Sequence, residues 1–256
     1  MIVNVIPLAW KGQRFVDAWY DLPKPLIQVK WKKMIFRAFD SLPKSDKNVF
    51  IVLQDHVDKY SIDKELKENI PNSIVVADIK PEWQAATTYK IRDHVDRDDV
   101  INVGACDNAM LYDEEKYKQY IFDANIDFMV WTFRNYHGVT YNPDQYSYCV
   151  VDENWNIERT SLKKAISNNP MNDHCMVWAF TFKKAWDFYD GYNELRENND
   201  TINWEFYIDS IIDYSIKKWL KGKVFEVDKY IGFWTPNDLK TYEYWYDYFK
   251  TLNNEK

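Results

Sequence analysis

Glycine is scarce in this chain of 256 residues: it has 6, where an ordinary soluble protein of that length carries about 18. Cysteine is scarce too. Cys106, Cys149 and Cys175 lie far apart with no C-x-x-C spacing, which excludes a disulfide scaffold and a structural zinc site and implies a reducing compartment. There is no excess of positive charge, since 33 Lys and Arg face 40 Asp and Glu for a net charge of −7. A nucleic acid is therefore excluded as the main partner, because phosphate-backbone binding needs a basic face. No apolar run approaches the roughly 18 residues of a membrane span, and the first residues lack the charged-then-apolar layout of an export signal. The expectation is a soluble cytoplasmic protein with no membrane partner. His56, His94, His137 and His174 form no metal spacing and no nucleophile pair, and the G-x-x-x-x-G-K-[ST] loop of phosphate-binding ATPases is missing.

What the chain does have is tryptophan, 12 of them, and a regular alternation of strand-like and helix-like segments. Ile2 to Leu8 is a short apolar strand. Helix-period apolar spacing over Ile35 to Leu42 stops at Pro43. Asn48 to Leu53 and Ser73 to Ala77 read as strands around a helix at 58–70, and a helix is predicted over Ala85 to His94. Val100 to Val103, Phe128 to Phe133, Tyr146 to Val151, Ile157 to Thr160, Val177 to Phe182 and Val224 to Val227 are further strands, with helices over 184–194, 206–219 and a C-terminal segment whose Tyr and Trp face should pack on the body. Continuous apolar runs such as NVFIVL suit a sheet covered on both faces, and strands alternating with helices argue for an α/β layered fold in one domain, residues 1–256.

The stretch that organises the rest runs from Ile6 to Leu26. A strand enters a loop carrying Gly12 and Arg14, and the segment closes on Pro23-Lys24-Pro25, a rigid turn presenting one lysine. This reads as an anion-binding loop: backbone N–H groups cradle phosphate oxygens, one Arg and one Lys supply charge, and only small residues permit the close approach.

These residues carry a resemblance. Leu8-Ala9-Trp10-Lys11-Gly12-Gln13-Arg14-Phe15, followed by Trp19-Tyr20-Asp21-Leu22-Pro23-Lys24-Pro25-Leu26-Ile27, is similar to L-A-G-x-G-x-R-F and G-Y-x-L-P-K-P-L-I. That is the opening signature of the sugar-1-phosphate nucleotidylyltransferases, and the chain looks like their capsular-polysaccharide branch. The resemblance implies a GT-A-like (Rossmann-like) three-layer α/β sandwich with a mostly parallel mixed central sheet. It implies transfer of an NMP from an NTP to a sugar 1-phosphate or similar phosphorylated polyol, with Mg2+ as cofactor and a homo-oligomer left open. By the same resemblance Leu8, Ala9 and Gly12 cradle the phosphates, Arg14 neutralises the departing pyrophosphate, and Lys24 binds the α-phosphate. Glu82 and Gln84 read the base, Asp107 holds the metal, and Lys163 and Glu205 hold the acceptor. An aspartate that many relatives place near G-T-P as a second metal ligand is Gly232 here, with Asp228 a substitute. Asp107 could instead cap a helix starting at Ala109. Two other classes compete: a glycosyltransferase of the same fold, which would want a D-x-D where Asp107-Asn108-Ala109 stands, and a non-catalytic sugar-nucleotide-binding homologue.

The tryptophans fall where glycine is expected. Trp10 and Trp19 replace glycines of the opening signature, while Trp31, Trp83, Trp204 and Trp234 stand in LIQVKWKKMI, PEWQAAT, NWEFY and GFWTPNDL at family glycine slots. Trp178 and Trp219 also fit such slots. Trp155 needs no family, because Glu-Asn-Trp-Asn separates two strand-like runs and Asn-Gly is the strongest short hairpin signal. Nine tryptophans thus stand for glycine, as expected of a gene that reads UGA as glycine but is translated with a table that reads UGA as tryptophan. A tryptophan-rich homologue that has lost catalysis is the alternative. Trp131 and Trp245 sit among apolar and aromatic neighbours and read as genuine; Trp186 reads either way.

Overall fold

The structure, a computed structural model, describes residues 1–10, 12–79, 84–202 and 204–254. Among these, the strands in order are β1 (Ile2–Leu8), β2 (Gln28–Val29), β3 (Lys32–Lys33), β4 (Lys47–Leu53), β5 (Ser73–Asp78), β6 (Val100–Val103), β7 (Asn108–Leu111), β8 (Phe128–Phe133), β9 (Tyr148–Val151), β10 (Ile157–Ser161), β11 (His174–Phe182), β12 (Gly222–Glu226) and β13 (Lys229–Gly232). The helices are α1 (Gln13–Asp17), α2 (Met34–Asp40), α3 (Gln54–Tyr60), α4 (Ile62–Asn69), α5 (Gln84–Tyr89), α6 (Glu114–Phe122), α7 (Ala185–Glu197), α8 (Ile208–Lys217) and α9 (Pro236–Asn254).

Nine strands form the central sheet in the order β10-β9-β11-β6-β1-β4-β5, with β8 joined to β11 and β12 to β8. β1 pairs in parallel with β4 and β6, β4 with β5, and β12 with β8, whereas β11 is antiparallel to β6, β8 and β9 and β10 is antiparallel to β9. Seven of the nine therefore run one way, with β10 and β11 reversed, so the sheet is mixed and mostly parallel. Alternation along β1 and β4 makes three layers. Val3, Val5, Val49 and Ile51 pack with Ala85, Leu195 and Ile211 of α5, α7 and α8 on one face. Ile6, Leu8, Phe50 and Val52 pack with Ile35, Ile62 and Leu66 of α2 and α4 on the other.

Three features differ from the sequence reading. The helix expected at 58–70 is two helices, broken at Ser61, whose φ of 51° leaves the helical region. Residues 108–111 are not a helix that Asp107 caps but a strand, β7, paired with β13, so the capping role for Asp107 falls. The C-terminal helix packs through Tyr242 on Phe233 and Tyr246 on Trp31, but Tyr244, Trp245, Tyr248 and Phe249 are exposed. The apolar spacing of α9 was too broad to tell the packed side from the bare one.

Among the described residues, five tryptophans have left-handed backbones: Trp19, Trp155, Trp178, Trp204 and Trp219, with φ between 63° and 69°. All five belong to the nine at glycine slots. Trp131, Trp186 and Trp245 are not among the positive-φ residues, and neither are Trp10, Trp31 and Trp234 of the nine. The local hydrogen bonding explains why. After α1, Tyr20 N–H donates to Phe15 O and Trp19 N–H to Val16 O; after α8, Leu220 N–H donates to Ser215 O and Trp219 N–H to Ile216 O. Both are Schellman motifs, whose left-handed residue is usually glycine and sometimes asparagine. A third, after α7, has Asn199 in that place at φ 48°. Trp178 lies where the β11–β8 register shifts between Met176 and Phe180, a bulge of the kind that uses a left-handed glycine. Trp155 closes the β9–β10 hairpin, its N–H donating to Asp152 O at 3.1 Å.

A left-handed L-residue costs about 1–2 kcal/mol, and glycine gives back about 0.4–1 kcal/mol through the unfolded chain. Trp19, Trp204 and Trp219 are 92%, 84% and 92% exposed, so they lose little burial when truncated. Exchanging these three for glycine should therefore raise the melting temperature, by about 5 °C at 2–4 °C per kcal/mol. Exchange of the buried Trp131, whose indole N–H donates to Thr181 Oγ1 at 2.9 Å, should lower it sharply. Calorimetry separates the two outcomes.

Candidate active site

A cavity of about 470 Å3 opens at the carboxyl ends of β1 and β6, and its walls include Trp10, Gly12, Arg14, Lys24, Gln84, Asp107, Asn108, Gln145, Lys163, Trp178, Glu205 and Trp234. This is the edge at which open α/β sheets place ligands. The loop after β1 turns at once, with Trp10 N–H donating to Leu8 O at 2.9 Å. Gly12 then takes φ 64°, and a Cβ there would stand 2.8 Å from Lys24 Cβ. That close approach, as well as the left-handed backbone, requires glycine.

Lys24 and Asp107 meet. Lys24 Nζ lies 2.5 Å from Asp107 Oδ2 and 3.3 Å from the Trp234 carbonyl. The Lys24 side chain is buried and its ammonium stands over the Phe15 ring. The sequence reading had a turn presenting this lysine free to a ligand; in the structure the lysine is packed and ion-paired, because the partner it meets lies 83 residues away. The Arg14 guanidinium sits on the indole of Trp234, 4.2 Å from the ring centroid. Arg14, Lys24 and Asp107 thus converge on one cavity.

In the same cavity, Lys163 follows β10 in a turn at φ 51°. Its Nζ donates to Gln145 O at 2.7 Å and lies 5.1 Å and 5.3 Å from the Trp178 and Trp234 rings. Burial pulls its ammonium below the usual lysine range, while Asp209 acts in the opposite direction. Glu205 lies just before α8 in the same wall, beside Tyr207, whose hydroxyl burial pushes up. Gln84 starts α5 and keeps a buried side-chain oxygen with no hydrogen-bond partner, an acceptor available to a ligand that carries an N–H.

Other expected residues fall elsewhere. The side chains of Leu8 and Ala9 are core, packed against the two faces of the sheet, and are not among the cavity's walls; only their backbone could serve a ligand. Glu82 and Trp83 lie outside the described residues. Asp228 lines a separate cavity of about 280 Å3 with Arg134 and Glu226, so it does not stand in for a second metal ligand beside Asp107. The turn between β12 and β13 carries it there, its N–H donating to Leu111 O at 2.8 Å. Among the described residues no three His, Cys, Asp or Glu side chains cluster as a metal cage. The donor set nevertheless suits Mg2+, which keeps its waters and is held by one or two carboxylates plus substrate phosphates. Asp107 is one such carboxylate, facing the cavity.

Sequence reasoning missed Asn108, whose amide donates to Val177 O at 2.9 Å and ties β7 to β11. It also missed Gln145, Tyr146 and Tyr230, which the fold gathers from three separate segments. No local pattern announces such residues.

No family model matches the sequence, and no curated protein matches it. Solved structures do. The nucleoside-diphosphate-sugar pyrophosphorylase from Vibrio cholerae RC9 is 18% identical, with 95% of this chain and 99% of that chain covered at a TM-score of 0.75. The inositol-1-phosphate CTP transferase from T. maritima is 17% identical, with 94% and 93% covered at a TM-score of 0.72. The chain has their fold. The match runs through nearly the whole of each partner. No helix among the described residues is long and apolar enough to cross a membrane.

Proposed function

We propose that the chain is a sugar-phosphate nucleotidyltransferase: it transfers an NMP from an NTP to a sugar 1-phosphate, or a similar phosphorylated polyol, and releases pyrophosphate. The observation that carries this reading is the meeting of Lys24 with Asp107, 2.5 Å apart, beside Arg14 and the Gly12 loop, with Lys163 and Glu205 lining the same cavity. The reaction is an in-line displacement. An acceptor phosphate oxygen attacks the α-phosphorus, the bond to the β-phosphate bridge breaks, and pyrophosphate leaves. Such chemistry needs alignment and charge neutralisation more than an acid or a base. Lys24 binds the α-phosphate and Arg14 the departing pyrophosphate, while Asp107 would hold Mg2+, which when bound would supply further neutralisation of negative charge. Gln84, with Glu82, reads the base, and Lys163 and Glu205 hold the acceptor. The two solved structures of the same fold are named for reactions of this kind. The likeness of the opening signature to the capsular branch favours a role in supplying surface-polysaccharide precursors in the cytoplasm.

The reading includes glycine, in place of tryptophan, at positions 10, 19, 31, 83, 155, 178, 204, 219 and 234 of the protein as made in its own cell. Support comes from the five left-handed backbones at Trp19, Trp155, Trp178, Trp204 and Trp219. Trp10, Trp178 and Trp234 matter for catalysis because their indoles line the cavity. Were they real, the inactive sugar-nucleotide-binding homologue would be the better account, since bulk there blocks the approach of a triphosphate.

The reaction is tested by a pyrophosphate-release screen of four NTPs against a panel of sugar phosphates, using the chain with glycine at the nine positions. Release with one NTP that depends on the acceptor is the expected result. Release from no combination would remove the transferase reading.

A further inference from the structure

The two sides of α9 meet different surroundings. Leu239, Tyr242 and Tyr246 turn inward: Leu239 is buried, Tyr242 packs on Phe233 and Tyr246 on Trp31. Lys30 Nζ ties the helix down further, donating to Asp247 Oδ2 at 2.6 Å. The opposite side is bare. Tyr244, Trp245, Tyr248, Phe249 and Leu252 are 40–65% exposed, and their spacing of three and four residues puts them on one helix face. Among the described residues, the ring contacts of these four aromatics are with one another, at centroid distances of 5.4–5.9 Å. From Thr241 to Leu252 this stripe carries no charged side chain.

An aromatic side chain buries about 150–250 Å2, so four of them at these exposures leave about 400 Å2 open on each protomer. Patches of that size are often functional. Laid against its own copy, with Leu252 and the helix flanks added, the face buries about 1,000 Å2 in total, which a specific interface needs as a minimum. A two-fold axis sets each group near its own copy, so a face that pairs with itself must be free of like charges, as this stripe is. Lys240 and Asp247 lie a heptad apart on one edge of it and are opposite in sign. In an antiparallel pair centred on Trp245, Lys240 falls within a helical turn of the partner's Asp247. An anionic membrane fits less well. Asp238, Glu243 and Asp247 outnumber Lys240 and Lys250 along α9, whereas helices that lie on membranes have a polar face rich in Lys and Arg.

We propose that the bare face of α9 is the interface at which two copies of the chain pair, helix against antiparallel helix, as a two-fold dimer. None of the nine tryptophans at glycine slots lies in α9, and the pairing assumes nothing about the reaction, so it stands or falls apart from both readings.

Sedimentation equilibrium of the full chain tests the proposal. The parent should form dimers with a dissociation constant in the micromolar range, as suits an interface at the small end of the specific ones. The double variant Trp245→Glu/Phe249→Glu should raise that constant at least a hundredfold, because it sets like charges beside the axis. Its circular dichroism should match the parent's, since both side chains are about half exposed. A parent that stays monomeric far above the micromolar range overturns the proposal, and so does a dimer whose constant is unchanged in the double variant. Binding of a monomeric parent to anionic vesicles, lost in the double variant, would assign the face to a lipid surface and overturn it as well. If the double variant does not fold, hydrogen exchange of the unmodified chain decides. Amides of residues 241–252 should exchange several-fold more slowly above the dissociation constant than below it, and equal rates would contradict the proposal.

Discussion

Exchanging Trp10, Trp83, Trp178 and Trp234 for glycine should raise affinity for a magnesium-bound NTP at least a hundredfold. Three of these indoles line the cavity, and an indole at position 10 stands where the backbone N–H groups of the Leu8 to Arg14 loop would meet phosphate oxygens. Trp234 does more than fill space, because its ring holds the Arg14 guanidinium at 4.2 Å and so keeps that charge from the phosphates. Hydrogen bonds to charged groups contribute about 1.5–3 kcal/mol each. Recovering two of them corresponds to a factor of about a hundred or more, since 1.4 kcal/mol is tenfold. Calorimetric titration of the chain with tryptophan and of the glycine variant measures the difference. Equal affinities would show that the indoles do not occlude the site, and the account of this loop would be discarded.

Lys24→Ala should lower turnover by about a thousandfold, the upper range for removing one preorganised group that meets developing charge. It should also destabilise the protein, which a ligand-facing surface lysine would not. The ammonium is the charge partner of Asp107 at 2.5 Å and also bonds the Trp234 carbonyl. Losing one member of a buried pair costs about 3–5 kcal/mol. The Asp107 side chain is 19% exposed and can take up water, so about 1–2 kcal/mol is the expected loss. Urea unfolding and steady-state kinetics check the two halves. Turnover above a tenth of the parent's would place the α-phosphate on some other group.

The parts of the site that were legible in the sequence are those carried by contiguous residues. Arg14 and Lys24 flank one loop that reads as an anion site, and Asp107 follows β6, where the resemblance to the family motif points to it. Their convergence follows from the parallel order β6-β1-β4, which the apolar runs do not specify. The burial of Lys24 was not legible, because Asp107 is its partner only once β1 and β6 are neighbours. Gln145, Tyr146 and Tyr230 come from segments with no motif at all. β7 and β13 are four-residue strands paired only with each other, too short for periodicity to show. Trp155 was legible from its Asn flanks alone. Trp178 was visible as a glycine slot but not as a bulge, since a register shift exists only between two paired strands.

The claim on which the account depends is that glycine stands in place of tryptophan at the nine positions. Peptide mass spectrometry of the protein purified from its native cell tests it most directly. Peptides covering positions 10, 155, 178 and 219 should each carry a glycine mass, while those covering 131 and 245 keep tryptophan. Tryptophan at position 10 or 178 in the native protein would contradict the account.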